Sequence, residues 1–209
     1  MSPVSPARRW GRPDAPGRWG RLPVPALVLA ISIGLVAACS SSGAASFNPA
    51  GPCIADGRAP GAYPDLESQV PKAVAGTTPV SRDSGRNCTG MNLGTLAAHG
   101  VTEVRFAGAI WHDAAQSGLT LAVFRAPGLR AEWIGEWYEA TARAGRRTGA
   151  IQATRPLIAG RQAYRMDLVN GESKQTVVVW SSAAGDLVQV VIAADEPEAR
   201  IQDAIAAFP

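Results

Sequence analysis

A chain of 209 residues with 46% apolar and 18% charged side chains can build one packed domain plus extensions, and is too apolar for a disordered polymer. Its formal charge of +3 sits at one end: residues 1–38 hold five of the 20 basic and one of the 17 acidic residues, leaving 15 against 16, a net of −1. The body therefore offers no electrostatic case for nucleic acid, and no nucleic-acid partner is expected.

In chain order, Arg8, Arg9, Arg12, Arg18 and Arg21 precede an apolar run, Ala26–Ala38, that Pro23 and Pro25 keep from extending backwards. The run is 13 residues long, and a membrane-spanning helix needs about 20. A basic stretch, a short apolar run and small residues at its end are the parts of an export signal. The end of the run, Leu35-Val36-Ala37-Ala38-Cys39, resembles the lipobox of bacterial lipoproteins. That resemblance implies cleavage after Ala38, a diacylglyceryl group (palmitate-type chains) on the Cys39 sulfur, and Cys39 as the new N-terminus. It implies export and lipid anchoring on the outer face of the cell membrane, or in the periplasm or outer membrane of a two-membrane cell. Two or three acyl chains hold a protein durably where one does so marginally.

Ser40–Pro52 is small, polar and uncharged. With Cys39 it reads as a flexible tether over 39–52, of roughly 20 Å r.m.s. span, ahead of a single domain over 53–209. Two cysteines remain, Cys53 and Cys88. In an oxidising compartment the pair reads as a disulfide closing a loop of 36 residues, worth roughly 4 kcal/mol in the loop-entropy model. Two free thiols or half a metal site are the alternatives. The enclosed segment is rich in proline, glycine and polar residues. Its last part, Arg82–Cys88 (RDSGRNC), reads as a solvated loop shaped by Asp, Ser, Gly and Asn turn chemistry; the functional alternative is an exposed recognition loop or small anion site.

Asn92–Gly100 reads as a short helix stopped by Gly100. Val101–Trp111 alternates as a strand and Leu119–Ala126 returns beside it. Pro127-Gly128 breaks that strand ahead of a helix over Leu129–Ala144, with Trp133, Ile134, Trp137, Tyr138 and Thr141 on one stripe. Thr148–Gly160 reads as an edge-like strand because Pro156 is tolerated only at an edge or bend. Strands over Gln162–Val169, Gln175–Ser181 and Leu187–Ala194 follow, separated by Asn170-Gly171 and Ala184-Gly185-Asp186 turns. Glu198–Phe208 closes the chain as a helix. These elements predict an α+β fold: an antiparallel sheet of about five to six strands with two helices packed on one face. The element order, with the strand–turn–strand YRMDLVNGESKQTVVVW, is similar to the Mog1/PsbP-like small lipoproteins; that similarity implies a ligand-binding or scaffolding role.

Candidate chemistry is sparse. His112-Asp113 and Ser84 can be drawn as a nucleophile, base and orienting carboxylate. His99 is the other histidine. No G-x-S-x-G, S-x-x-K, H-E-x-x-H or P-loop motif is present, and no metal or cofactor set is read. Trp111, Trp133, Trp137, Tyr138 and Trp180 read as core; if the helix stands off the sheet, they line an apolar ligand pocket. Arg105, Arg165 and Asp167 mark a polar surface on the opposite sheet face. The expected function is thus a membrane-anchored envelope lipoprotein with a non-catalytic domain that binds a small apolar ligand or an envelope protein. The alternatives are an envelope hydrolase using His112, Asp113 and Ser84, and a structural surface protein without a ligand.

Overall fold

The structure, a computed structural model, describes residues 47–112, 117–158, 160–185 and 187–209. The signal segment 1–38, the lipidation candidate Cys39 and the tether as far as residue 46 lie outside the described residues, as does Asp113.

The body is one open, antiparallel sheet. Its strands are β1 (Gly57–Ala59), β2 (Ser81–Asn87), β3 (Val104–His112), β4 (Gly118–Arg125), β5 (Thr148–Thr154), β6 (Leu157–Ile158), β7 (Arg161–Asn170), β8 (Ser173–Ser181) and β9 (Val188–Ala194). They run in the order β1-β2-β3-β4-β9-β8-β7-β5, with β6 beside β7. Two meanders, β1 to β4 and β5 to β9, thus meet at the β4–β9 pair. The helices are α1 (Pro64–Glu67), α2 (Gly90–Leu93), α3 (Thr95–Ala98), α4 (Ala131–Ala144) and α5 (Glu198–Ala206). No described helix is long and apolar enough to cross a membrane.

The α+β class and the antiparallel pairing follow the hydrophobic alternation and the turn signals. The strand count is higher than the five to six expected, because β1, β2 and β6 carry little alternation. β2 is the clearest case: SRDSGRN holds no apolar side chain, yet its last four residues are buried. The expected exposed loop is an interior strand, paired on both sides to β1 and β3. Gly85 makes this fit, since a Cβ there would lie 2.3 Å from the Gly57 carbonyl oxygen and 2.8 Å from the Phe106 ring.

The helices do not share one face. In antiparallel pairs, residues directly opposite point the same way, which sorts the sheet into two surfaces. Phe124, Tyr164, Val179 and Val190 point toward α4, whose Trp137 and Tyr138 meet Phe124. Ala163, Trp180, Val178, Val191 and Leu121 point the other way, into a buried cluster with Ile201 and Ala204 of α5 and Leu66 of α1. The reason is compositional: β8 is continuously apolar over Val177–Trp180 and β9 at six of its seven positions, so both faces need cover there.

The α4 stripe is also rotated from the expected one. Ala131, Ile134, Gly135 and Tyr138 are buried, Trp133 and Trp137 are half-buried, and Thr141 is exposed, its hydroxyl donating to the Trp137 carbonyl at 2.8 Å.

Candidate functional site

The five aromatic residues proposed for a pocket are split by the sheet. Tyr138 and Trp137 pack edge-on against Phe124 at 6.4 and 6.1 Å between ring centres. Trp133 lies parallel to the His99 ring at 4.6 Å, with the Arg130 guanidinium 5.4 Å from its centre. Trp111 and Trp180 belong to the opposite surface. Trp111 donates its indole N–H to the Thr77 carbonyl at 2.8 Å, and Trp180 meets Phe208 edge-on at 5.2 Å. Beneath α4 the space is filled: the Tyr164 ring lies in the notch left by Gly135. The Tyr138 hydroxyl is buried without a hydrogen-bond partner, and burial raises its pKa.

Ser84 is a structural hydroxyl. It is fully buried, accepts from the Tyr63 amide at 2.7 Å and donates to Glu67 Oε1 at 2.7 Å. The register sets Ser84 opposite Ala107. His112 lies five residues further along β3, about 17 Å at ~3.4 Å per residue. His99 bonds Glu136 at 2.7 Å. Ser84 and His112 are therefore not brought within proton-transfer reach.

The polar surface opposite α4 is real but largely engaged. Arg105 bonds Glu103 at 2.7 Å and lies 5.1 Å from the Tyr63 ring centre. Arg165 holds two carboxylates at once: Asp167 at 2.9 and 3.0 Å, and Glu198, in the first turn of α5, at 2.9 and 2.8 Å. These contacts, Glu198's first, raise the Arg165 pKa. The same bonds hold Glu198 below its ordinary range. Asp167 is raised by burial, but bonds from Arg165 and Thr176 outweigh that and leave it lowered. Beside this triad lies an open groove of about 350 Å³, flanked by Ala150 and Gln152 of β5, Lys174 and Thr176 of β8, and Glu196. It offers cations, carboxylates and amides to a polar partner. Arg165 and Asp167, two of the residues singled out from the sequence, line it. No group of three or more His, Cys, Asp or Glu side chains among the described residues is placed to hold a metal ion.

No protein-family model, curated protein or solved structure matches the chain.

Three polar residues organise the N-terminal end, and hydrophobic periodicity cannot find them. Arg86, 4% exposed, donates to the carbonyls of Gly51 at 2.7 Å and Pro52 at 2.9 Å, with longer bonds to Asn48 and Pro49. Arg82 donates to the carbonyls of Glu67, Val70 and Pro71. Asp56 accepts from the Cys88 and Thr89 amides, the Thr89 hydroxyl and the Asn92 amide group. Between them, Cys53 and Cys88 stand at disulfide distance with Cα atoms 5.4 Å apart. Part of the stretch expected as tether is thus held to the body, since the carbonyls of Asn48, Pro49, Gly51 and Pro52 accept from Arg86.

Proposed function

We propose that this chain is an exported lipoprotein, anchored through Cys39, whose body is a non-catalytic binding or protein-interaction domain. The observation that carries this reading is an order along the chain. A basic stretch, a short apolar run, small residues and Cys39 come in sequence, ahead of the folded body. The Cys53–Cys88 pair, read as a disulfide, suits an oxidising compartment outside the cytoplasm. The engaged Ser84 hydroxyl, remote from His112, favours binding over hydrolysis. The filled space beneath α4 shifts the binding surface away from the aromatic residues and toward the groove beside Arg165. Its mixed charges suit a polar segment of an envelope protein better than an apolar small molecule. The similarity in expected element order to Mog1/PsbP-like lipoproteins is part of the same proposal and agrees with a scaffolding role.

A photo-crosslinking amino acid at Gln152, in cells producing the full chain, tests it. A discrete protein adduct that disappears on Glu196→Lys supports the reading. Adducts of no defined size, unchanged by that substitution, overturn it.

A further inference from the structure

Where the chain enters the folded body, two uncharged stretches come together through Cys53 and Cys88. Residues 47–55 and 87–98 hold no acidic or basic side chain. The one carboxylate among them in space, Asp56, is taken up by Cys88, Thr89 and Asn92. Arg86 is buried against carbonyls, and half-exposed Arg105, opposite it on β3, is paired with Glu103. Two large apolar side chains stand out from this uncharged end: Ile54 at 82% and Met91 at 90% exposed. Ile54 adjoins Cys53, and Met91 follows Cys88 by three residues, so the cystine pair and the Asp56 clasp hold both in one rigid knot. Elsewhere on the body charges are interspersed, and exposing such residues to water costs free energy that no described contact recovers.

We propose that this knot seats on the lipid bilayer, with Ile54 and Met91 entering the headgroup region. The inference rests on the Cys39 anchor and extends it. Seven residues, 40–46, separate Cys39 from Phe47, a separation that no chain can stretch beyond about 28 Å. A body tethered that closely meets the membrane with its N-terminal end, and an uncharged apolar surface is what an interface accepts at least cost. Val80, 65% exposed, marks the other end of β2, about 27 Å from Cys88 at ~3.4 Å per residue.

The two methionines of the body report the contact directly, since sulfoxide formation follows exposure. The full-length protein, processed in cells, is reconstituted into phosphatidylcholine–phosphatidylglycerol vesicles, floated on a gradient and treated with hydrogen peroxide. A Val80→Met variant supplies a water-exposed reference, while buried Met166 (1% exposed) reports unfolding. Met91 is expected to oxidise at least about fivefold more slowly than the Val80→Met position. Equal rates in floated vesicles overturn the seating while leaving the anchor intact. A chain that does not float overturns the anchor, and the seating with it.

Discussion

Gly135 of α4 lies against the face of Tyr164 in β7, so closely that a Cβ at 135 would stand 2.6–2.9 Å from three ring carbons. Tyr164 is buried and its hydroxyl donates to Glu139, one helical turn further on. Helix and sheet are thus locked by one ring, touching backbone at one end and a carboxylate at the other. In an exposed helix, Gly→Ala stabilises by about 1 kcal/mol. Here overpacking costs about 1–3 kcal/mol and decides the sign. Gly135→Ala is expected to lower the urea midpoint without changing the slope. A rise in the midpoint shows that α4 can lift from the sheet.

Arg86 is the fastener of the N-terminal segment. Its removal leaves the Gly51 carbonyl without a donor, at about 1–3 kcal/mol if it stays buried, and takes one of two donors from the carbonyls of Asn48, Pro49 and Pro52, which also accept from the Gly51 amide, the Tyr63 hydroxyl and the Ile54 amide. Arg86→Ala is expected to destabilise by on the order of 2–3 kcal/mol and to speed amide exchange and proteolysis over residues 47–52. Arg86→Lys rescues it only in part, because an ammonium lacks the planar fork that reaches several carbonyls at once. Full rescue by lysine contradicts this account.

These two contacts mark what the sequence makes legible. β3, β4, β7, β8, β9 and α4 announce themselves because their apolar spacing matches the period of the element and turn signals bound them. β2 stays hidden because its burial is achieved by hydrogen bonds and by Gly85, not by apolar side chains. The sidedness of the helices is likewise concealed: Trp133, Trp137 and Tyr138 fall on one stripe whether or not α5 shares their face. Only the register, which sets Tyr164 and Ala163 on opposite surfaces, separates them. Of the site candidates, Arg105, Arg165 and Asp167 do share a face, as alternation implies. Their partners Tyr63 and Glu198 lie 42 and 33 residues away from Arg105 and Arg165, beyond any local pattern.

Acid is expected to loosen α5. Glu198 and Asp167 titrate below their ordinary values of 4.5 and 3.8 because of their bonds to Arg165. A folded-state pKa below the unfolded one contributes stability that is fully present above the unfolded value and lost as pH falls through the folded one. Stability should decline from about pH 5 downward, by no more than about 1 kcal/mol from these groups, since Glu198 is more than half exposed. Arg165→Met should flatten that part of the unfolding-versus-pH curve. An unchanged acid limb shows that the triad contributes nothing measurable.

Ser84→Ala separates structure from catalysis. Losing the hydroxyl strips the Tyr63 amide and Glu67 of a buried partner, at a cost of about 1–2 kcal/mol. The wild-type chain is expected to resist a fluorophosphonate serine probe, because Ser84 is buried and lacks a neighbouring imidazole. Labelling that disappears on Ser84→Ala contradicts a structural role.

The anchor is the claim on which the proposed localisation and the membrane seating depend. Intact-mass measurement of the protein extracted from membranes tests it most directly. The account predicts a chain beginning at Cys39 that carries a diacylglyceryl adduct, and an uncleaved, unmodified precursor on Cys39→Ser. A wild-type chain that begins elsewhere, or that carries an unmodified Cys39, contradicts it.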